Sequence, residues 1–264
     1  MPTASRDTLW DDARLSDPHA QPDKSRRVQA MFDAIAPTYE LVNRVLSAGR
    51  DAFWRRTAVS MAAVRSDDRV LDLACGTGDF ARAFHRAKPS VIVGSDFSAG
   101  MLGLAARRAA ETPRVAGASA PIRWCRGDAH NLPFADGSFS IASCAFGVRN
   151  FQHLEIGLRE MNRVLAVGGR AVILEFTMPR SKLLGRIYRF YFRRVLPRVA
   201  RWISRDRSGA YDYLPNSVES FIDERGMVKA LQSVGFGRIE CRTLSAGIVA
   251  VYVATKPKQT DGTT

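Results

Sequence analysis

Two periods of apolar residues follow one another along the chain. Over residues 25–37 apolar side chains recur at steps of three and four, the period of one helix face, and segments 40–46 and 51–64 continue it. Beyond residue 68 the pattern changes to short, nearly continuous apolar runs. These runs are residues 69–74, 90–95, 122–125, 139–146 and 170–176. They are typical of strands that are buried on both faces.

Helical patterns separate the runs, over residues 79–87, 99–110 and 154–165. Neighbouring parallel strands need right-handed crossovers through such helices, which gives a doubly wound sheet with helices on both faces. After a helix predicted over 219–234, runs at 237–243 and 247–255 predict an antiparallel pair at one edge. The sequence therefore predicts an α/β fold with a mostly parallel, seven-stranded, Rossmann-like sheet.

The 264 residues fit one domain. Residues 1–24 are polar, and we expect a disordered tail there because they bury too little apolar surface to offset the entropy of ordering. A single domain is predicted over 25–258, with a basic helical insertion at about 180–210 and a flexible tail at 259–264. The first 27 residues lack the apolar run of a secretory signal, so we expect a cytoplasmic protein.

The net charge of the chain indicates that its binding partner is anionic. Thirty-nine basic and 26 acidic side chains give a net charge of +13, which favours nucleic acid, an acidic ligand or a membrane surface. The four cysteines are widely spaced and form no CxxC motif, so neither a disulfide framework nor a metal site is indicated.

A glycine-rich loop follows the first predicted strand. Gly76 and Gly78 let the backbone turn sharply where a helix begins, and Asp96 ends the second strand, where a carboxylate can bind ribose hydroxyls. The pattern also matches a dinucleotide fingerprint, so an NAD-dependent oxidoreductase is a rival. Asp72 argues against it because it lies inside the strand, at a position that is usually apolar in an NAD site, and Asp79 because it places negative charge where a pyrophosphate would lie. Carboxylates suit a cationic ligand, such as S-adenosylmethionine with its ammonium and sulfonium groups.

Several longer motifs indicate a narrower class of protein than the glycine loop does. They are MFDAIAPTY at 31–39, NRVLS at 43–47, LDLACGTGD at 71–79, GDAHNLPF at 127–134, FGVRN at 146–150, VLAVGGR at 164–170, LEF at 174–176, YL at 213–214 and GI at 247–248. Over about residues 26–255 the chain resembles the ubiquinone/menaquinone biosynthesis C-methyltransferases, which are class I S-adenosylmethionine-dependent enzymes. The glycine loop and the LPF segment at 132–134 are common to many methyltransferases, whereas the combination of Tyr39, FGVRN and LEF is more specific.

The resemblance implies a cofactor site and an acceptor site. The glycine loop with Thr77 would bind S-adenosylmethionine, and Asp128 and Ala129 would contact its adenine; Asp128 stands where the family usually has Asn. The implied acceptor is a lipid quinol, a polyprenylated benzoquinol or naphthoquinol, and the sequence leaves open which. A methyltransferase acting on RNA or on another small aromatic acceptor is the alternative.

Tyr39, Arg149 and Asn150 are the catalytic candidates. We assign Arg149 to phenolate stabilisation, Asn150 to orienting ring oxygens and Tyr39 to relaying a proton; the general base stays open. Each has a structural alternative. Tyr39 fits a half-buried core aromatic, Arg149 a surface ion pair and Asn150 the cap of the helix at 154–165.

The basic stretch from Lys182 to Arg205 contains no acidic residue. On a helix its basic side chains line one face between apolar and aromatic ones, with a kink expected at Pro197. Such helices lie in the headgroup region of anionic bilayers. We therefore expect docking on the inner face of the cytoplasmic membrane rather than binding to nucleic acid, with a lid packed on the domain as the alternative. The sequence leaves open whether the chain forms a homodimer.

Overall fold

The computed structural model describes residues 9–111, 121–204 and 208–258. The helices are α1 (Asp12–Leu15), α2 (Lys24–Ile35), α3 (Tyr39–Leu46), α4 (Asp51–Met61), α5 (Asp79–His85), α6 (Ala99–Glu111), α7 (Leu154–Val164), α8 (Lys182–Phe190), α9 (Leu196–Ser204), α10 (Ala210–Glu219) and α11 (Glu224–Ser233). The strands are β1 (Arg69–Leu73), β2 (Val91–Asp96), β3 (Arg123–Arg126), β4 (Phe139–Ala145), β5 (Leu165–Phe176), β6 (Ile239–Leu244) and β7 (Val249–Thr255).

The described residues form one seven-stranded sheet in the order β3-β2-β1-β4-β5-β7-β6. Only β7 runs against its neighbours β5 and β6, so the predicted doubly wound, mostly parallel sheet with an antiparallel pair at its edge is confirmed. The chain winds outward from β1 in one direction and from β4 in the other. The carboxyl ends of β1, β2 and β4 therefore border the crevice where such sheets bind ligands.

Side chains alternate across the central strands and build a core on each face of the sheet. In β1, Val70 packs with Trp54 of α4 and Phe84 of α5, whereas Leu71 packs with Leu158 of α7. Both faces are covered by helices, which explains why the strands are nearly continuous apolar runs.

Two predicted boundaries are wrong. β5 begins at Leu165 rather than at residue 170, because Leu165 pairs with Phe139 across a register shift that the apolar pattern does not reveal. The helix expected at 219–234 begins at Glu224, since Asp223 caps it by accepting a hydrogen bond from the Gly226 N–H at 2.8 Å. Glu219, the first residue of the expected helix, is instead the last residue of the separate helix α10.

The prediction of a disordered N-terminal tail is also wrong for residues 9–24, the part of it that the structure describes. Residues 9–23 lie on the domain, and Trp10 is only 3% exposed. Its ring contacts that of Tyr213 with centroids 4.3 Å apart. Leu9 and Leu15 pack against the same apolar cluster, and His19 Nε2 lies 2.9 Å from the Ser217 carbonyl. These contacts together with the burial of Trp10 hold the segment on the domain. Residues 1–8 and 259–264, predicted to be tails, lie outside the described residues.

From Lys182 to Ser204 the basic insertion forms a helical cap over the carboxyl edge of the sheet, and Arg205 lies outside the described residues. α8 and α9 are joined by the π-helical segment Tyr191–Val195. Pro197, the second residue of α9, has no N–H to continue the α-helical hydrogen bonds across this junction. Phe192 packs with α2, α3 and α10 in a third apolar cluster. Among the described helices, none is long and apolar enough to cross a membrane.

Candidate active site

In the described part of the chain, three cavities meet at the carboxyl edge of the sheet. The largest, ≈ 410 Å³, lies beneath the helical cap. A second of ≈ 70 Å³ lies at the ends of β1, β2 and β4, and a third of ≈ 30 Å³ lies beside the glycine loop. Tyr39 lines all three, and Phe146 lines the first two. A ligand in the large cavity can therefore reach one in the smaller cavities beside Tyr39.

The two glycines of the loop have different surroundings. Gly76 lines both small cavities, has φ +54° and would direct a Cβ into open space. Gly78 lines none of the three cavities. It directly precedes α5 with φ +84°, and a Cβ there would lie 2.4 Å from Trp124 Cη2. Thr77 lines the third cavity, and its carbonyl accepts a hydrogen bond from Arg82 at 2.7 Å. Gly78 thus shapes the loop from outside the three cavities, and its binding to the cofactor stays a prediction.

Buried carboxylates surround the small cavities. Asp72 Oδ1 accepts from the Ser143 hydroxyl at 2.8 Å, whereas Oδ2 has no hydrogen-bond partner among the described residues. Burial raises the pKa of Asp72 to about 7. The two oxygens of Asp96 accept from the N–H groups of Gly76 (2.8 Å) and Ser98 (2.9 Å), and burial raises its pKa as well. Both carboxylates retain lone pairs for further donors.

An ion-pair network that the sequence analysis did not anticipate closes one side of the loop. Asp79 lines the third cavity and contacts Arg82 at 2.5 Å and Arg55 at 3.8 Å. Burial opposes ionisation, but these two guanidinium groups outweigh it and lower the pKa of Asp79. Glu40, beside Tyr39 in α3, lies 3.2 Å from Arg82 and 2.5 Å from Arg108. The network ties α3 to α5 and α6 around the small cavities.

Asp128 and Ala129 line the second cavity after β3. Asp128 is exposed, and its Oδ1 accepts from the His130 N–H at 2.9 Å and lies 2.7 Å from His130 Nδ1. Since His130 Nε2 accepts from the His153 N–H at 3.1 Å, the ring proton is on Nδ1 and is donated to Asp128. His130 thus holds the carboxylate in place, which the sequence analysis missed.

The turn after β4 places Arg149 in the wall of the large cavity. Its Nη1 donates to Glu175 Oε1 at 2.7 Å and to the Phe146 carbonyl at 2.6 Å, and its guanidinium lies over the Phe176 ring at 5.6 Å. The side chains of Arg149 and Glu175 are 6% and 1% exposed. The surface ion pair considered for Arg149 is therefore wrong. Glu175 belongs to the LEF motif, but no sequence pattern indicates that it pairs with Arg149.

Asn150 lies at the second cavity rather than the large one. Its Oδ1 accepts from the Tyr213 hydroxyl at 2.9 Å, and its Nδ2 donates to the Phe146 carbonyl at 3.4 Å. His153, not Asn150, precedes the first turn of α7, so the helix-cap alternative is wrong. The rings of Tyr39 and Phe32 lie edge to face with their centroids 5.7 Å apart. Burial raises the pKa of the Tyr39 hydroxyl.

The acceptor groups around the small cavities fit S-adenosylmethionine. The unpartnered Asp72 Oδ2 suits an ammonium group, Asp96 suits ribose hydroxyls, and neither offers the donors that a pyrophosphate needs. Among the described residues, no cluster of three histidine, cysteine or acidic side chains could hold a metal ion.

Known proteins resemble the chain over most of its length. The model of the ubiE/COQ5 methyltransferase family matches residues 20–256. A demethylmenaquinone methyltransferase of Deinococcus radiodurans is 46% identical over 235 residues, 89% of this chain and 94% of that protein. A ubiquinone/menaquinone biosynthesis C-methyltransferase of Geobacter sulfurreducens is 43% identical over 236 residues, 89% of this chain and 90% of that one. A solved SAM-dependent methyltransferase of Thermotoga maritima matches with a TM-score of 0.59 at 20% identity, covering 86% of this chain and 99% of that one, which concerns the fold alone.

Proposed function

The chain belongs to the ubiE/COQ5 methyltransferase family, and from this premise we propose that it methylates a ring carbon of a polyprenylated quinol. It is an S-adenosylmethionine-dependent methyltransferase, as the family is. The relative from Deinococcus is named for demethylmenaquinone, so a demethylated naphthoquinol is our first choice of acceptor and a benzoquinol the second.

The observation that carries this proposal is the junction of the cavities at Tyr39. The large cavity has the size of a small-molecule site and is lined mainly by apolar and aromatic side chains, which suits a prenylated ring. Arg149 is one of the few charged groups in its wall. The cavity joins the cofactor side at Tyr39 and Phe146, where an acceptor carbon would meet the methyl donor.

S-adenosylmethionine, when bound, supplies an electrophilic methyl group, so the protein has to activate and align the ring. Loss of a proton from a ring hydroxyl, relayed by Tyr39 to water, makes the ring carbon nucleophilic. Once the methyl group has bonded, the hydrogen of that carbon leaves as a proton, which restores the aromatic ring. In our proposal Arg149 donates a hydrogen bond to that oxygen as negative charge develops on it. Glu175 already balances the charge of Arg149, so the stabilisation comes from the oriented N–H group rather than from an excess positive charge.

The remaining candidates have supporting roles in this proposal. Burial keeps Tyr39 protonated near neutral pH, so its hydroxyl is a donor and proton relay rather than a base. Asn150, held by Tyr213, fixes the Phe146 carbonyl at the boundary between the two cavities. The helical cap excludes water and keeps the reacting atoms aligned, which is most of the task in a one-step displacement.

Labelled methyl transfer to a panel of acceptors tests the proposed function. The enzyme and methyl-labelled S-adenosylmethionine are incubated separately with a demethylated naphthoquinol, a demethylated benzoquinol and total RNA. We expect label in a quinol and none in RNA. Label in RNA alone would favour the alternative acceptor class and contradict the proposal.

We further propose that the cap docks on an anionic membrane. At 100° per residue, α8 has three stripes. Gly185 and Tyr188 face the protein. Exposed basic residues form the second stripe, and the third is apolar yet exposed, as Phe190 at 65% illustrates. Ile187 belongs to this exposed stripe and also lines the large cavity, so a prenyl tail in the cavity can continue into the bilayer.

Vesicle sedimentation distinguishes docking on a membrane from a cap that only covers the large cavity. Arg193 is paired with Glu219 at 2.5 Å and is a poor choice for mutation, whereas Arg186, Arg189 and Arg194 form no ion pair among the described residues. Changing these three to Glu should abolish binding to vesicles of anionic phospholipid. The matched control changes three exposed arginines elsewhere to Glu, with the same change in net charge: Arg107, Arg159 and Arg225. Equal vesicle binding by both variants, or no binding by the parent protein, would contradict membrane docking and favour a cap that only covers the cavity.

A further inference from the structure

A buried lysine lies behind the turn that carries Arg149 and Asn150. Lys24, the first residue of α2, is 2% exposed. Its Nζ donates to the Arg149 carbonyl at 2.9 Å and to the Phe151 carbonyl at 2.6 Å. These two carbonyls flank Asn150, so one ammonium group holds the main chain on both sides of that residue.

The third donor of the ammonium group also has a partner. Lys24 Nζ lies 3.1 Å from His19 Nδ1, and His19 Nε2 lies 2.9 Å from the Ser217 carbonyl. Since a lysine can only donate, Nδ1 accepts and the ring proton on Nε2 is donated to Ser217. Burial is the main cause that lowers the pKa of His19, which fits this neutral ring. Lys24 therefore links the N-terminal segment, α10 and the turn.

The turn needs such an external support. Phe146, which precedes it, is a non-glycine residue in the left-handed region at φ +57°, and the turn itself is a single 3₁₀ segment of three residues, Val148–Asn150. The short segment cannot satisfy its own last carbonyls. Without Lys24, two buried carbonyls would lose their donor, and the turn would have to shift to find another.

We propose that Lys24 is a positioning residue for methyl transfer, fixing Arg149 and Asn150 through their main-chain carbonyls. This inference rests on the proposed function, in which Arg149 contacts the quinol oxygen. Lys24 lines none of the three cavities and touches neither reactant, so its effect on catalysis passes through the turn.

Lysine substitutions with a matched control test the inference. In Lys24→Met the turn should shift, lowering kcat by about 10- to 100-fold while changing cofactor affinity less than about threefold. Lys256 is the control, because its Nζ also donates to two main-chain carbonyls, those of Asn162 and Leu165, both at 2.8 Å. Lys256→Met should keep the parental kcat at temperatures well below its Tm. Ethylamine should restore turnover to Lys24→Ala and should not change that of Lys256→Ala.

Hydrogen exchange supplies a readout that needs no acceptor. The amides of Asn150 and Phe151 donate within the turn at 2.9 and 3.2 Å, and Lys24→Met should speed their exchange while Lys256→Met leaves it unchanged. Unchanged exchange, or equal fractional losses of kcat in the two Met variants, would overturn the positioning role. A parent enzyme that binds S-adenosylmethionine but methylates no quinol would instead refute the proposed function, and the exchange result would still decide the role of Lys24 in holding the turn.

Discussion

Replacing Arg149 should damage the protein in two separable ways. The guanidinium lines the large cavity and also neutralises Glu175, whose carboxylate lies 2.7 Å away and is 1% exposed. Arg149→Met removes the donor from the cavity and leaves a buried carboxylate without its partner.

The loss of stability can be estimated from the burial of this pair. Removing one partner of a buried ion pair costs about 3–5 kcal/mol. At roughly 2–4 °C of Tm per kcal/mol for a chain of this size, Tm should fall by about 6–20 °C. Replacing both partners by apolar residues removes the unpaired charge, so adding Glu175→Leu to Arg149→Met should restore most of the stability.

Turnover should not recover with stability. The single and the double variant both lack the donor to the developing phenolate, so kcat should be lowered by roughly 100-fold or more in each. Thermal melts give Tm, and quinol-dependent formation of S-adenosylhomocysteine gives kcat. Cofactor affinity by calorimetry should change little, because Arg149 lines neither small cavity. Recovery of both stability and turnover in the double variant would show that Arg149 serves only to balance Glu175.

Further predictions concern the cofactor side and the N-terminal segment. Gly76→Ala should weaken S-adenosylmethionine binding, measured by calorimetry, because its Cβ enters the cavities. Gly78→Ala should mainly lower stability to urea, because its Cβ would lie 2.4 Å from Trp124. The reverse pattern would contradict the loop geometry. Because burial raises the pKa of Asp72 to about 7, the folded state holds a proton that the unfolded state loses above about pH 4, and this group's contribution to stability falls as pH rises from about 4 to 7. Cofactor affinity should rise through pH 7 as the carboxylate ionises, and Asp72→Asn should remove that rise; the same rise in the variant would exclude Asp72 as its source. Trp10→Ala should cost about 3–5 kcal/mol in urea unfolding because the ring is buried, and a cost below about 1 kcal/mol would contradict its packing.

Local patterns in the sequence predict most of the fold. The parallel strands are buried on both faces, so they appear as apolar runs, and their predicted bounds deviate mainly where pairing shifts the register, as at Leu165. α10 was missed because a basic stretch and glycine precede it and Pro215 lies inside it. The packing of residues 9–23 was missed because the segment is polar overall, whereas its few apolar side chains, Trp10 above all, pack against distant helices.

In the candidate site too, a local sequence pattern predicts some residues, whereas the contacts of others depend on the fold. Gly76 and Asp96 lie in a local motif, and both line the second cavity as that motif suggests. The partners of Arg149 and Lys24 could not be seen, because Glu175 lies 26 residues from Arg149, and the carbonyl that Lys24 binds lies 125 residues away. Only the fold brings such groups together, and an isolated sequence carries no signal of their pairing.

The central claim is that a ring carbon of a lipid quinol receives the methyl group at the junction beside Tyr39. The most direct measurement uses trideuteromethyl S-adenosylmethionine and a demethylated naphthoquinol, with the product analysed by mass spectrometry and NMR. We predict a trideuteromethyl group bonded to the ring carbon, with loss of the single hydrogen that this carbon carried. Label on a ring oxygen, or no label in any quinol while the cofactor binds normally, would contradict the account.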